Sequence, residues 1–140
     1  MKNQLTVYPG DTSFLPDDQP EEFIIGRNHG RNFYPVRIFI DCGKKLTGID
    51  VADIAYCKAN KDYTLIVTAD NERLLSSKGI SKLEQSFDPK YFIRIHRSYI
   101  INLRHAKLIT SEFSRYFFHI NDMDIPVSRY YLKQIKQLIF

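Results

Sequence analysis

From residue 36 onward, apolar and polar positions alternate in short runs separated by turn residues. Residues 36–40 form one run, Asp41-Cys42-Gly43-Lys44 has turn chemistry, and residues 46–49 return. Residues 54–59 and 63–68 flank the polar Asn60-Lys61-Asp62, and Ala69-Asp70-Asn71 leads into residues 73–76. Turns this closely spaced predict antiparallel hairpins rather than parallel strands joined by crossover helices. Residues 107–109, 116–120 and 124–127 read as further strands, and of Tyr116, Phe117 and Phe118 at least one faces the core. Two segments switch to helical spacing. In the first, Ile80, Leu83 and Phe87 share a face, Ser81 and Glu84 have capping-box spacing, and Pro89 ends the run. In the second, Tyr131, Leu132, Ile135, Leu138 and Ile139 recur behind Ser128, a suitable N-cap, with Lys133 and Lys136 toward solvent.

The stretch Tyr91-Phe-Ile-Arg-Ile-His-Arg-Ser-Tyr-Ile-Ile-Asn102 organises the rest. It opens with strand alternation, sets His96, Arg97 and Ser98 in a row, and resumes an apolar run at Tyr99. Polar side chains between two apolar anchors are presented from a rigid base. Arg97 carries a planar fork of donors suited to phosphate or to a guanine edge, and Ser98 can add a phosphate hydrogen bond. Ser128-Arg129 repeats the pairing of a serine with an arginine at an element boundary.

A chain of 140 residues suits one sizeable core. Its apolar runs fall short of the roughly 20 residues that span a bilayer, and the N-terminus lacks the apolar centre of a signal peptide. Cys42 and Cys57 have neither CxxC spacing nor a histidine partner at metal-site spacing. The expectation is a cytoplasmic protein with reduced thiols and neither metal nor cofactor. Charge is uneven. Residues 1–35 hold three of the 20 basic and five of the 16 acidic side chains, so −2, while the remainder holds 17 and 11, so +6. Positive charge on the folded part suits a polyanion partner. Residues 1–35, rich in proline and glycine and acidic from Asp17 to Glu22, form a separate N-terminal extension, partly disordered or with Phe23-Ile24-Ile25 as a docked strand.

At this point the chain resembles the LytTR DNA-binding domain family. The resemblance rests on Asp53-Ile54-Ala55-Tyr56, the helical Ile80-Ser81-Lys82-Leu83-Glu84, the block Arg94-Ile-His-Arg-Ser-Tyr-Ile-Ile-Asn102 and Ile125-Pro126-Val127-Ser128-Arg129, in that order. It covers residues 36–140. It implies a mainly β, elongated antiparallel fold with a short middle helix and a C-terminal helix. It also implies loops that enter successive major grooves on one face of a duplex. Carried over, those loops are Lys61-Asp62-Tyr63-Thr64, Arg97-Ser98 and Ser128-Arg129. Tyr63 departs from the basic or imidazole donor of relatives and offers a hydroxyl or a face for a thymine methyl. The resulting expectation is a bacterial-type transcriptional regulator without a receiver module, bound as two protomers to tandem repeats in double-stranded DNA. Tyr63, Arg97 and Arg129 are the base-edge candidates. Lys61, Thr64, Ser98, Ser128 and Lys133 are the phosphate candidates. Residues 1–35 are free to meet a further partner.

Two other classes compete. His96-Arg97-Ser98 is a His-x-Ser triplet, as phosphoesterases use in pairs, one imidazole as acid and one as base. His29, His105 and His119 supply no second triplet, and His96 reads better as a structural histidine bonded to a backbone carbonyl. The other class is a protein-interaction module that pairs a peptide with a strand edge. DNA binding weakens steeply with salt and strand pairing does not.

Overall fold

The computed structural model describes residues 33–140. The expected strand at Phe23-Ile24-Ile25 and the acidic run before it lie outside the described residues. Among the described residues, ten strands fall into three antiparallel sheets. The largest has the order β5-β4-β3-β7-β6, built from β3 (Ile54–Asn60), β4 (Tyr63–Thr68), β5 (Arg73–Ser76), β6 (Phe92–His96) and β7 (Tyr99–Asn102). A two-stranded ribbon, β1 (Arg37–Asp41) with β2 (Leu46–Asp50), precedes it. A three-stranded sheet, β10-β9-β8, follows, from β8 (Leu108–Glu112), β9 (Arg115–Ile120) and β10 (Met123–Pro126). The helices α1 (Ile80–Glu84) and α2 (Leu132–Lys136) are short. Among the described residues, no helix is long and apolar enough to cross a membrane.

The central sheet has a core on each face, which is why β4 and β7 read as near-continuous apolar runs. On one face, Ile54, Cys57, Ile66 and Ile100 meet Ile40 and Ile49 of the ribbon and Ile80, Leu83 and Phe87 of the α1 segment. On the other, Ala55, Tyr56, Val67, Ile95 and Ile101 meet Phe118, Ile120, Ile125 and Ile135. Strict alternation would send Ile54 and Tyr56 to the same face. A bulge in β3 between them shifts the register, so Ile54 and Cys57 face one core while Ala55 and Tyr56 face the other.

Asn102, fully buried, pins the end of β7. Its Nδ2 donates to the Ile54 carbonyl at 2.9 Å, and its Oδ1 accepts the Arg104 amide at 3.0 Å. Asn102→Leu keeps the volume but orphans buried polar groups, and a loss of about 3 kcal/mol is expected in urea unfolding. Cys42 is exposed and Cys57 buried, both as free thiols. Burial pushes the Cys57 thiol up to about 12. A thiol reagent should therefore label Cys42 in the native protein and reach Cys57 only on unfolding. Because the native state holds the Cys57 proton more tightly, stability is lost as pH rises above about 9 toward 12.

The helix ends differ from expectation. Gly79, not Ser81, occupies the N-cap of α1, with no side-chain cap. Ile80 is drawn into the core, which starts the helix early and leaves Ser81 exposed. Glu84 turns instead to Arg94. Ser128 precedes a 3-10 turn, Arg129–Tyr131, and its side chain caps nothing. Of the expected C-terminal apolar face Ile135 is buried, whereas Leu138 and Ile139 lie beyond α2, exposed.

Candidate nucleic-acid interface

Three turns converge on one end of the central sheet. The first joins β3 to β4, where Asn60 pairs with Tyr63 across Lys61-Asp62. The second joins β6 to β7, where His96 pairs with Tyr99 across Arg97-Ser98. They are neighbours because β3 also pairs with β7, and the Ala59 amide donates to the Ser98 carbonyl at 2.8 Å. The third follows β10. The Ser128 amide donates to the Ile95 carbonyl at 2.9 Å, which sets Ser128-Arg129 against the end of β6. A recess lined by Ser114, Arg115, Tyr116, Val127, Arg129 and Leu132 carries the surface on to the β8–β9 tip.

Lys61 sits at φ 58, a left-handed conformation that costs a non-glycine residue roughly 1 kcal/mol or more. The tight turn thus holds a lysine where glycine is easiest, and its side chain is exposed. Tyr63 beside it is 49% exposed.

The Arg97-Ser98 turn is unusual for a two-residue hairpin, since neither residue has a positive φ. Without that, the turn's twist matches its strands poorly. Three features hold it. A bulge between Arg94 and His96 alters the local twist. His96 Nδ1 accepts the Ser98 amide at 3.0 Å. Arg94 Nε donates to the His96 carbonyl at 3.0 Å, and its Nη2 donates to the Arg97 carbonyl. The remaining arm, Nη1, meets Glu84 Oε1 of α1 at 2.7 Å. Arg94 is thus a clamp on the backbone of the turn. His96 is structural, as expected, but it accepts from an amide rather than bonding a carbonyl. Burial, then the positive charges of Arg97 and Arg94, lower its pKa and keep the ring neutral enough to accept that bond.

Arg97 and Arg129 are exposed, and among the described residues neither guanidinium forms an ion pair. Ser98 and Ser128 flank them, half-buried. Lys133 lies farther along, exposed on α2. Thr64 is a correction. It is fully buried, and its hydroxyl donates to the Lys78 carbonyl at 2.7 Å, so it is not available to a phosphate. Its effect is indirect. The Lys78 amide donates to Ser76 Oγ at 3.1 Å, so Lys78 is pinned at both ends with its side chain exposed. The Asp62 carbonyl lies near Gly79, which places this loop beside the Lys61 turn. Sequence reading passed over Lys78 and Arg94. For Lys78, the available signal was a basic residue in the loop Ser76-Ser77-Lys78-Gly79.

A family model described as the LytTr DNA-binding domain matches residues 44–140. The chain belongs to this family. Over 94 residues the chain is 34% identical to the heme-containing CO-sensing transcriptional regulator RcoM 2 of Paraburkholderia xenovorans, covering 65% of this chain and 35% of that one. Over 105 residues it is 30% identical to the sensory transduction protein LytT of Bacillus subtilis, covering 74% and 43%. The chain thus spans less than half the length of these two relatives. A solved LytTr DNA-binding domain of a putative methyl-accepting/DNA response regulator from Bacillus cereus matches with a TM-score of 0.67 at 20% identity, over 76% of this chain and 99% of that one. The expected mainly β, antiparallel LytTR fold is the fold observed.

Proposed function

We propose that this LytTR chain is a sequence-specific, double-stranded DNA-binding transcriptional regulator. Its three turns enter successive major grooves on one face of the duplex. The observation that carries this reading is the convergence of the Lys61, Arg97 and Arg129 turns on one sheet end, each with an exposed cation. Arg97 and Arg129 read base edges as planar donor forks, and Tyr63 contributes a hydroxyl or a ring face at the first turn. Lys61, Ser98, Ser128 and Lys133, joined now by Lys78, hold phosphates and set register. One such domain buries modest surface on DNA, so two protomers on tandem repeats are expected.

Selection of bound duplexes from a random pool tests this reading. The expected product is a repeated element spaced at about one helical turn, roughly 10–10.5 base pairs. Recovery of no enriched sequence would count against it. Lys61→Gly separates shape from charge. Glycine relieves the positive φ, so stability should hold or rise, offset by the greater freedom of the unfolded chain. Affinity for all sequences should fall alike, and the slope of log affinity against log salt should drop by about one. Lys78→Ala should act in the same way.

A further inference from the structure

Among the described residues β1 is hydrogen-bonded to β2 alone, although β5 passes close to it, and we propose that β1 pairs with β1 of a second copy of this chain, antiparallel and two-fold about Phe39. The backbone bonds fix which groups face outward. The Val51 amide donates to the Val36 carbonyl at 2.8 Å, and the Cys42 amide donates to the Lys45 carbonyl at 2.9 Å. In an antiparallel ladder, bonded and non-bonded positions alternate. Val36, Ile38, Ile40 and Cys42 therefore face β2, while Arg37, Phe39 and Asp41 aim their amides and carbonyls off the open edge. Among the described residues, no backbone bond meets these groups.

The side chains suit the same register. Pairing about Phe39 sets Arg37 opposite the partner's Asp41 at both ends, and Phe39 beside its own copy. Opposite charges face each other directly across such a ladder and stabilise it. The other free edge, β2, lacks this match, since centring on Gly48 would oppose Leu46 and Asp50. Phe39, at the centre of the strand that carries the charges, is 62% exposed, so apolar surface there awaits cover. Arg37-Ile-Phe-Ile-Asp41 carries one charge of each sign, which a second copy in this register neutralises, and it lacks the other guards of an edge. It has no proline, no lysine and no bulge against β2. A ribbon of two strands is marginal alone, and pairing would extend it to four. Arg37 already meets Asp50 at 2.6 Å, so the partner's Asp41 would complete a charge network. This pairing belongs to the protein off DNA and stands apart from the DNA reading.

Sedimentation velocity on the full chain over a wide concentration range tests it, together with amide hydrogen exchange resolved at β1. Expected is a monomer–dimer equilibrium in which the Arg37, Phe39 and Asp41 amides gain protection as the dimer fills. Asp41→Asn keeps the acceptor for the Gly43 amide but loses the charge, and should weaken the dimer at least threefold. Phe39→Pro removes an outward N–H while sparing the ribbon's own bonds, and should end dimerisation with the native circular dichroism spectrum retained. A monomer throughout, or a dimer whose three amides stay unprotected, overturns the proposal. So does protection of those amides at every dilution, which would mean another segment of the same chain covers the edge.

Discussion

Arg94→Ala should cost about 2 kcal/mol of folding stability and raise the dissociation constant for target DNA tenfold or more, although Arg94 lies behind the contact surface. Its guanidinium is three-way engaged, on the His96 and Arg97 carbonyls and on Glu84. Hydrogen bonds to a charged group stabilise by about 1.5–3 kcal/mol each when well formed. The pair is only partly buried, with side chains 13% and 43% exposed, which lowers that figure. The loss of DNA affinity has a separate origin. Without the clamp, a turn with poorly matched twist must be ordered at the moment of binding, and that ordering is subtracted from affinity. Arg94→Lys sharpens the test. A lysine can restore the Glu84 pair but not the planar fork on two carbonyls. Stability should recover in part, and DNA affinity should not. Chemical denaturation and fluorescence anisotropy on the same preparations read both.

Arg129→Ala should leave folding untouched and flatten sequence preference. The residue is exposed and forms no ion pair among the described residues, so its removal orphans nothing within the protein. A bidentate contact to a base edge provides about 1–3 kcal/mol of discrimination. The best duplex should therefore lose about ten- to a hundredfold in affinity, while non-specific binding, carried by the phosphate contacts, changes little. Equal loss on every duplex would make Arg129 a phosphate contact instead. Unchanged affinity and preference would remove it from the interface.

The strands were legible because the hairpins are local and their turns carry recognisable chemistry. Asp41-Cys42-Gly43-Lys44 is a clear case, with Gly43 at φ 97 and its amide donating to Asp41 Oδ1 at 2.9 Å. What was hidden shares one cause: the central sheet is covered on both faces. In Tyr63-Thr-Leu-Ile-Val-Thr68, with core on each side, alternation does not say which way Thr64 points, so nothing in the pattern spoke against the phosphate role that the family resemblance implied for it. Arg94 did not stand out within an alternating strand. The face it occupies is the one approached by α1, whose position depends on contacts distant in sequence. The β3 and β6 bulges were invisible for the same reason, since an extra residue in a two-sided strand breaks no apolar pattern. The Arg97-Ser98 and Ser128-Arg129 turns could be read because polar residues between apolar anchors need no tertiary knowledge to stand out.

The most direct measurement uses the selected duplex rebuilt with 7-deazapurines, which lack the N7 acceptor of the major groove but leave the minor groove and the phosphates intact. Expected is a fall in affinity of about ten- to a hundredfold for the native chain, shrinking sharply in Arg97→Ala and Arg129→Ala. Equal affinity for the natural and N7-lacking duplexes would mean that the three turns do not read purine edges through the major groove.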